Sequence, residues 1–174
     1  MASTLQSVAV SEYMTFIPAI AEPSIDQTKD IYEQNRHRVY AISFWMTDSE
    51  LRAEQLLEAT FVRAFAENQA PTEEQIDDAM IAQLREDQLI GLLTLTCAQA
   101  TEVLNVRENT KRVHLELAVV QLPATEKLMF LMHDVEGYSH DRIARTLGVT
   151  VKDSQQGVHQ ARLRIRDLVS VMPW

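Results

Sequence analysis

Residues 138–168, YSHDRIARTLGVTVKDSQQGVHQARLRIRDL, decide how this chain is read. Ser139 is placed to cap a helix whose inward residues are Ile143, Ala144 and Leu147, and Gly148 supplies the turn that follows. Thr150 and Asp153 have the spacing of a capping box, so a second helix starts at a defined place. Its apolar line is Val151, Val158, Ala161, Ile165 and Leu168, with Ser154 at one core-facing position. Lys152, Gln155, Gln156, His159, Arg162 and Arg166 then fall on the opposite side. Two short helices about a tight turn form a helix-turn-helix pattern, whose second helix enters the DNA major groove by its first turns. Gln binds adenine bidentately, Arg binds guanine or phosphate, and Lys152 lies near a helix N-terminus that itself favours phosphate. The same spacing also fits an exposed helix whose charge serves solubility. Asp153 at the phosphate-facing end and Gly157, about 1 kcal/mol worse than Ala in a helix, weigh toward that second reading.

The net charge of −9 seems to oppose DNA binding, but it is unevenly spread. Residues 1–110 hold 18 acidic and 7 basic side chains, a balance of −11, whereas residues 111–174 hold 7 and 9, a balance of +2. Nucleic-acid contact is therefore expected at the C-terminal end. With only 4 Gly and 5 Pro in 174 residues, turn signals are few and an all-α protein of two small helical domains is expected. The single cysteine, Cys97, excludes an internal disulfide and a multi-cysteine metal site. Without a signal-peptide pattern or an apolar run near about eighteen residues, the chain is expected to be cytoplasmic, with no membrane insertion.

Working outward, residues 1–24 lack a sustained period and read as an extension. A first helix is expected from about Ser24 or Asp26 to Met46, with Tyr32, Val39, Ile42 and Met46 on one side. Asp48 and Ser49 precede a cleanly amphipathic helix built on Ala53, Leu56, Leu57, Thr60, Phe61, Ala64 and Phe65. Its other face carries Glu50, Glu54, Gln55, Glu58 and Arg63, which suits either solvent or a partner. Thr72 and Gln75 form another capping box, and the helix they open has Ile76, Met80, Ile81 and Leu84 inward. Glu73, Glu74, Asp77, Asp78, Glu86 and Asp87 give it a surface expected to repel phosphate. The stretch LIGLLTLTCAQATEVLNV, residues 89–106, reads as a central buried helix, with Cys97 as a small core residue. RENTKR, residues 107–112, is the one candidate linker in the middle of the chain. Beyond it an apolar pattern of Leu115, Leu117, Val120 and Leu122 stops at Pro123, and ATEKLMFLMHDVEG ends at Gly137.

His133-Asp134 and His140-Asp141 make two His-Asp pairs seven residues apart, a pattern that raises metal ligation. They are read instead as a helix end and a first-turn acid favoured by the macrodipole. There is no Gly-rich phosphate loop and no nucleophile motif. No catalytic residue, metal ligand or cofactor is expected, and the protein is not expected to be an enzyme.

Residues 122–168 resemble region four of the extracytoplasmic-function (ECF) sigma factors of the sigma-70 family: LP, DVEGYS, IARTLGV and HQAR occur in that family's order and spacing. IYEQNRHRVYAISFWMTDSELRAEQLLEATFVRAF, residues 31–65, resembles the start of region two, and AEQLLEATFVRAF is similar to the helix that binds the polymerase clamp. The resemblance implies region two at residues 29–107, a linker at 108–112 and region four at 113–172, after an extension at 1–28. It implies transcription initiation with RNA polymerase core and promoter DNA as partners. Glu54, Gln55, Glu58 and Arg63 would meet polymerase, and Lys152, Gln155, Gln156 and His159 would meet DNA. Region two diverges: GLLTLTCAQATEVLNVRE, residues 91–108, has Gly91, Cys97, Ala98, Asn105 and Val106 where the family's melting helix carries aromatic and basic groups. A sigma mimic that engages an anti-sigma factor, and a stand-alone helix-turn-helix regulator, are the alternative functions. A linker of about six residues spans at most roughly 20 Å, less than the roughly 34 Å of one duplex turn, so the two units are expected to pack together.

Overall fold

The computed structural model describes residues 25–87, 89–90 and 112–172. Every regular element among them is helical: α1 (Ile25–Thr47), α2 (Glu50–Glu67), α3 (Glu73–Glu86), α4 (Arg112–Val120), α5 (Ala124–Phe130), α6 (His140–Leu147) and α7 (Val151–Val171). A π turn, Leu131–Val135, continues α5. The expected linker, apart from Arg112, and the expected buried helix, apart from Leu89 and Ile90, lie outside the described residues, as does the extension up to residue 24.

Local chemistry sets the helix ends. Asp48 takes φ 52° and closes α1 by donating its N–H to the Phe44 carbonyl, a left-handed conformation that Asp tolerates better than most residues. The Ser49 hydroxyl caps α2, and Thr72 and Gln75 satisfy each other's backbone donors at the start of α3. Gly148, at φ 70°, ends α6 in the left-handed region and reverses the chain within two residues into α7.

The core begins between α1 and α2. Val39, Ile42 and Met46 face Ala53, Leu56, Phe61 and Ala64, and Tyr32 meets Phe61 edge to face with ring centroids 4.8 Å apart. Ile76, Met80, Ile81 and Leu84 of α3 close this side. The same buried cluster continues without a break into Leu128, Met129, Leu131, Met132, Ile143, Leu147 and Val158 of the C-terminal unit. The two helical units thus share one core, as the short linker suggests, with α3 against α6 and α1 against α4 and α5.

Two apolar lines differ from expectation. In α4 the buried residues are His114, Ala118 and Val119, while Leu115 and Leu117 are exposed. The helix packs on α7 and, less extensively, on α1, and its buried side follows those neighbours. Val151, the first residue of α7, is 38 % exposed. It precedes Ser154, the first α7 residue buried in the core, and so lies outside the packed stretch.

Candidate nucleic-acid interface

The first turns of α7 are held by the capping box. Thr150 Oγ1 accepts from the Asp153 N–H at 3.1 Å, and Asp153 Oδ2 accepts from the Thr150 N–H at 3.1 Å and its hydroxyl at 2.7 Å. These bonds, the side-chain one first, hold the Asp153 carboxyl below its ordinary range. The carboxylate that seemed to oppose phosphate is thus turned back on the helix start. Behind it Ser154, Gly157, Val158 and Ala161 are buried. Lys152, Gln155 and His159 are exposed and Gln156 half-buried, so these four form one stripe over the first two and a half turns.

The two arginines expected beyond that stripe are engaged within the fold. Arg162 grips Asp134 bidentately, Nη2 to Oδ1 at 2.5 Å and Nε to Oδ2 at 2.8 Å, and this is the chief cause of the lowered Asp134 pKa. Arg166 is half-buried, with Nη2 3.5 Å from Asp167 Oδ1. The stripe therefore narrows to Lys152, Gln155, Gln156 and His159.

The two His-Asp pairs converge, but as a stack. The His133 and His140 rings lie 4.3 Å apart at 25°, His133 Nδ1 is 2.7 Å from Asp134 Oδ1, and His140 Nδ1 is 3.0 Å from Ser154 Oγ. They tie the π turn to the start of α6 and to α7. Among the described residues no group of three or more His, Cys, Asp or Glu is arranged to hold a metal ion.

On the other unit, Glu54, Gln55 and Glu58 are exposed on α2, flanked by Leu51 and Val62, each 65 % exposed. Arg63 lies between two carboxylates, 2.7 Å from Glu86 and 3.7 Å from Glu67. This face is acidic with apolar ends, chemistry for a protein and not for phosphate.

The most connected polar group is Asp77, expected on the acidic surface of α3 and instead fully buried. Its carboxylate accepts from Arg38 and at 2.8 Å from the Tyr138 hydroxyl. It also accepts from Arg142 Nε at 3.1 Å and Nη2 at 2.5 Å. Arg38 also reaches the Tyr138 hydroxyl and donates to Asn35 Oδ1 at 2.5 Å, and the Arg142 guanidinium lies 4.0 Å from the Tyr138 ring centroid. Burial, and then the Asp77 charge, raise the Tyr138 pKa, keeping the phenol a neutral donor. Around this centre Arg142 meets Glu73 at 3.0 Å, Arg145 meets Glu74 at 3.1 Å, and Arg85 donates to the Leu147 carbonyl at 3.0 Å. One signal was available: Asp77, Met80, Ile81 and Leu84 have i, i+3, i+4, i+7 spacing, which places Asp77 on the apolar face.

Residues 112–165 match the family model of sigma-70, region 4. That stretch is a sigma-70 region 4. The matched residues run from α4 into α7 and include the helix-turn-helix, with Lys152, Gln155, Gln156 and His159 on its second helix. The chain is also similar in fold to the sigma factor RpoE from Bartonella quintana, solved in complex with the anti-sigma factor NepR. That likeness has a TM-score of 0.59 at 14% identity and covers 86% of this chain and 100% of that one. The all-α fold agrees with this likeness. Among the described residues no helix is long and apolar enough to cross a membrane.

Proposed function

We propose that this protein belongs to the sigma-70 family and works as an ECF-type initiation factor, binding RNA polymerase core through region 2 and promoter duplex through region 4. The observation that carries the reading is the capped, outward stripe of Lys152, Gln155, Gln156 and His159 on the second helix of a family-matched helix-turn-helix. Region 2 is assigned to residues 29–107 and region 4 to 113–172, although α1 already begins at Ile25 and α4 at Arg112. The exposed Glu54, Gln55 and Glu58, with Leu51 and Val62 beside them, supply an acidic surface with apolar ends for the polymerase, and Arg63 braces its far end. Direct base contact in the major groove belongs to Gln155, Gln156 and His159, and phosphate contact to Lys152. Transcription from a promoter library with purified core polymerase tests the reading. Specific initiation that is lost in Glu54→Lys/Glu58→Lys, with duplex binding retained, is the expected result; absence of both core binding and specific initiation overturns it.

A second reading has its own support. The units are packed and region 2 is strongly acidic, which suits a protein that acts by binding an anti-sigma factor, the kind of partner RpoE has in its complex. Capture of an encoded anti-sigma factor without any binding to core polymerase would select this reading.

A further inference from the structure

The first helix of a helix-turn-helix crosses the DNA backbone while the second enters the groove. In this chain that first helix, α6, carries Arg142 and Arg145 one turn apart, and both are turned onto α3. Guanidinium takes a carboxylate or a phosphate in the same forked geometry. The α3 edge offers four carboxylates within six residues, Glu73, Glu74, Asp77 and Asp78, of which the first three hold the two arginines. The arrangement is graded: Asp77 is fully buried, whereas the Arg145 and Glu74 side chains are 66 % and 58 % exposed at an open cleft. Crowding is visible at Asp78, whose carboxyl is raised by burial and then by Asp77 and Glu74.

We propose that the acidic edge of α3 occupies α6 as an internal stand-in for the phosphate backbone, so that DNA docking by region 4 must exchange Arg142 and Arg145 from α3 carboxylates to phosphates. This rests on the assignment of region 4 as a DNA reader. The acidity of region 2 thereby acquires a definite target, an arginine pair of the same chain. Arg145, whose pair is exposed and screened by salt, exchanges first; Arg142, tied to buried Asp77, exchanges only when α6 lifts from α3.

The test uses the full chain and a fluorescent random-sequence duplex of about three helical turns, which reports phosphate contact without any base preference. Asp77 is left intact because its loss threatens the fold. Glu73→Gln/Glu74→Gln is expected to raise affinity about three- to tenfold at about 0.1 M salt and to steepen the salt dependence. Arg145→Gln in that background is expected to reverse part of the gain and to reduce the salt slope by about 1. Glu33→Gln/Glu50→Gln changes the net charge equally, on α1 and at the start of α2, and is expected to shift affinity less than about twofold. Energy transfer between labels at Gln69 and Val171, in a Cys97→Ser background, is expected to fall on duplex addition. Equal gains in the two double variants, or no gain in the first while Lys152→Gln still weakens binding, would overturn the exchange and leave region 4 a DNA reader. Absence of duplex binding by every variant would overturn both.

Discussion

Helices α6 and α7 sit side by side in one helix-turn-helix, yet their polar faces have opposite fates. The α7 stripe of Lys152, Gln155, Gln156 and His159 lies beside Asp153, whose carboxylate is taken up by the cap at Thr150. The α6 pair, Arg142 and Arg145, is covered by a second helical unit. A basic residue in the sequence is thus not yet a basic surface. Arg112, Arg162 and Arg166 also lie against carboxylates, at 2.6, 2.5 and 3.5 Å, and Arg164 lies 2.7 Å from the buried carboxylate of Glu126. The +2 balance beyond residue 110 therefore overstates the positive surface that DNA would meet in the packed molecule.

The difference between the two helices breaks most severely at Asp77. Asp77→Ala leaves Arg38 and Arg142 facing a buried void, and the expected loss is about 3–5 kcal/mol, read as a lowered midpoint in denaturant. The α7 side breaks differently. Gln155→Ala is expected to leave stability unchanged and to cost about 1–3 kcal/mol of discrimination at one base position, measured by selection from a promoter library. Thr150→Ala removes the cap and is expected to destabilise by about 1 kcal/mol in thermal melting.

The smallest expected effect is one of pH, at the stacked histidines where the two helices meet the π turn. Burial lowers the His140 pKa, and the facing His133 and Arg162 charges lower it further against the opposing Asp141 and Asp134. The fold therefore prefers neutral His140. Its contribution is complete above the unfolded pKa of about 6.5 and is lost as pH falls through the lower folded value. Asp134 and Asp153 have lowered pKa values and act only below about pH 4, so they do not share this window. A denaturation midpoint that drops as pH falls below about 6.5 in the native chain, and drops less in His140→Gln, is the expected pattern.

What the sequence made legible was local. The caps at Ser49, Thr72, Ser139 and Thr150, the glycine turn at Gly148 and the buried lines of α1 to α3 depend on residues within a turn or two of one another. The partners of Arg142 and Arg162 lie 65 and 28 residues away and follow only from how the helices are placed. In α4 the branched residues looked inward because they are the most apolar, but the buried side follows the neighbours α7 and α1 and takes Ala118 and His114. Periodicity correctly turned Glu54, Gln55 and Glu58 outward; it is silent on what they touch.

The π turn at Leu131–Val135 bears on how this gene can vary. The wide turn, in which the Glu136 N–H reaches back to the Leu131 carbonyl at 3.0 Å, and Gly137 at φ 73° together bring the Tyr138 N–H to the Met132 carbonyl at 2.9 Å. Deleting one residue between them would shorten the path that carries Tyr138 from this turn to Asp77 and break both the Met132 bond and the Asp77 bond. Side chains in this stretch are free to drift within their packing, but its length is not: single-codon insertions and deletions here should be purged where substitutions survive.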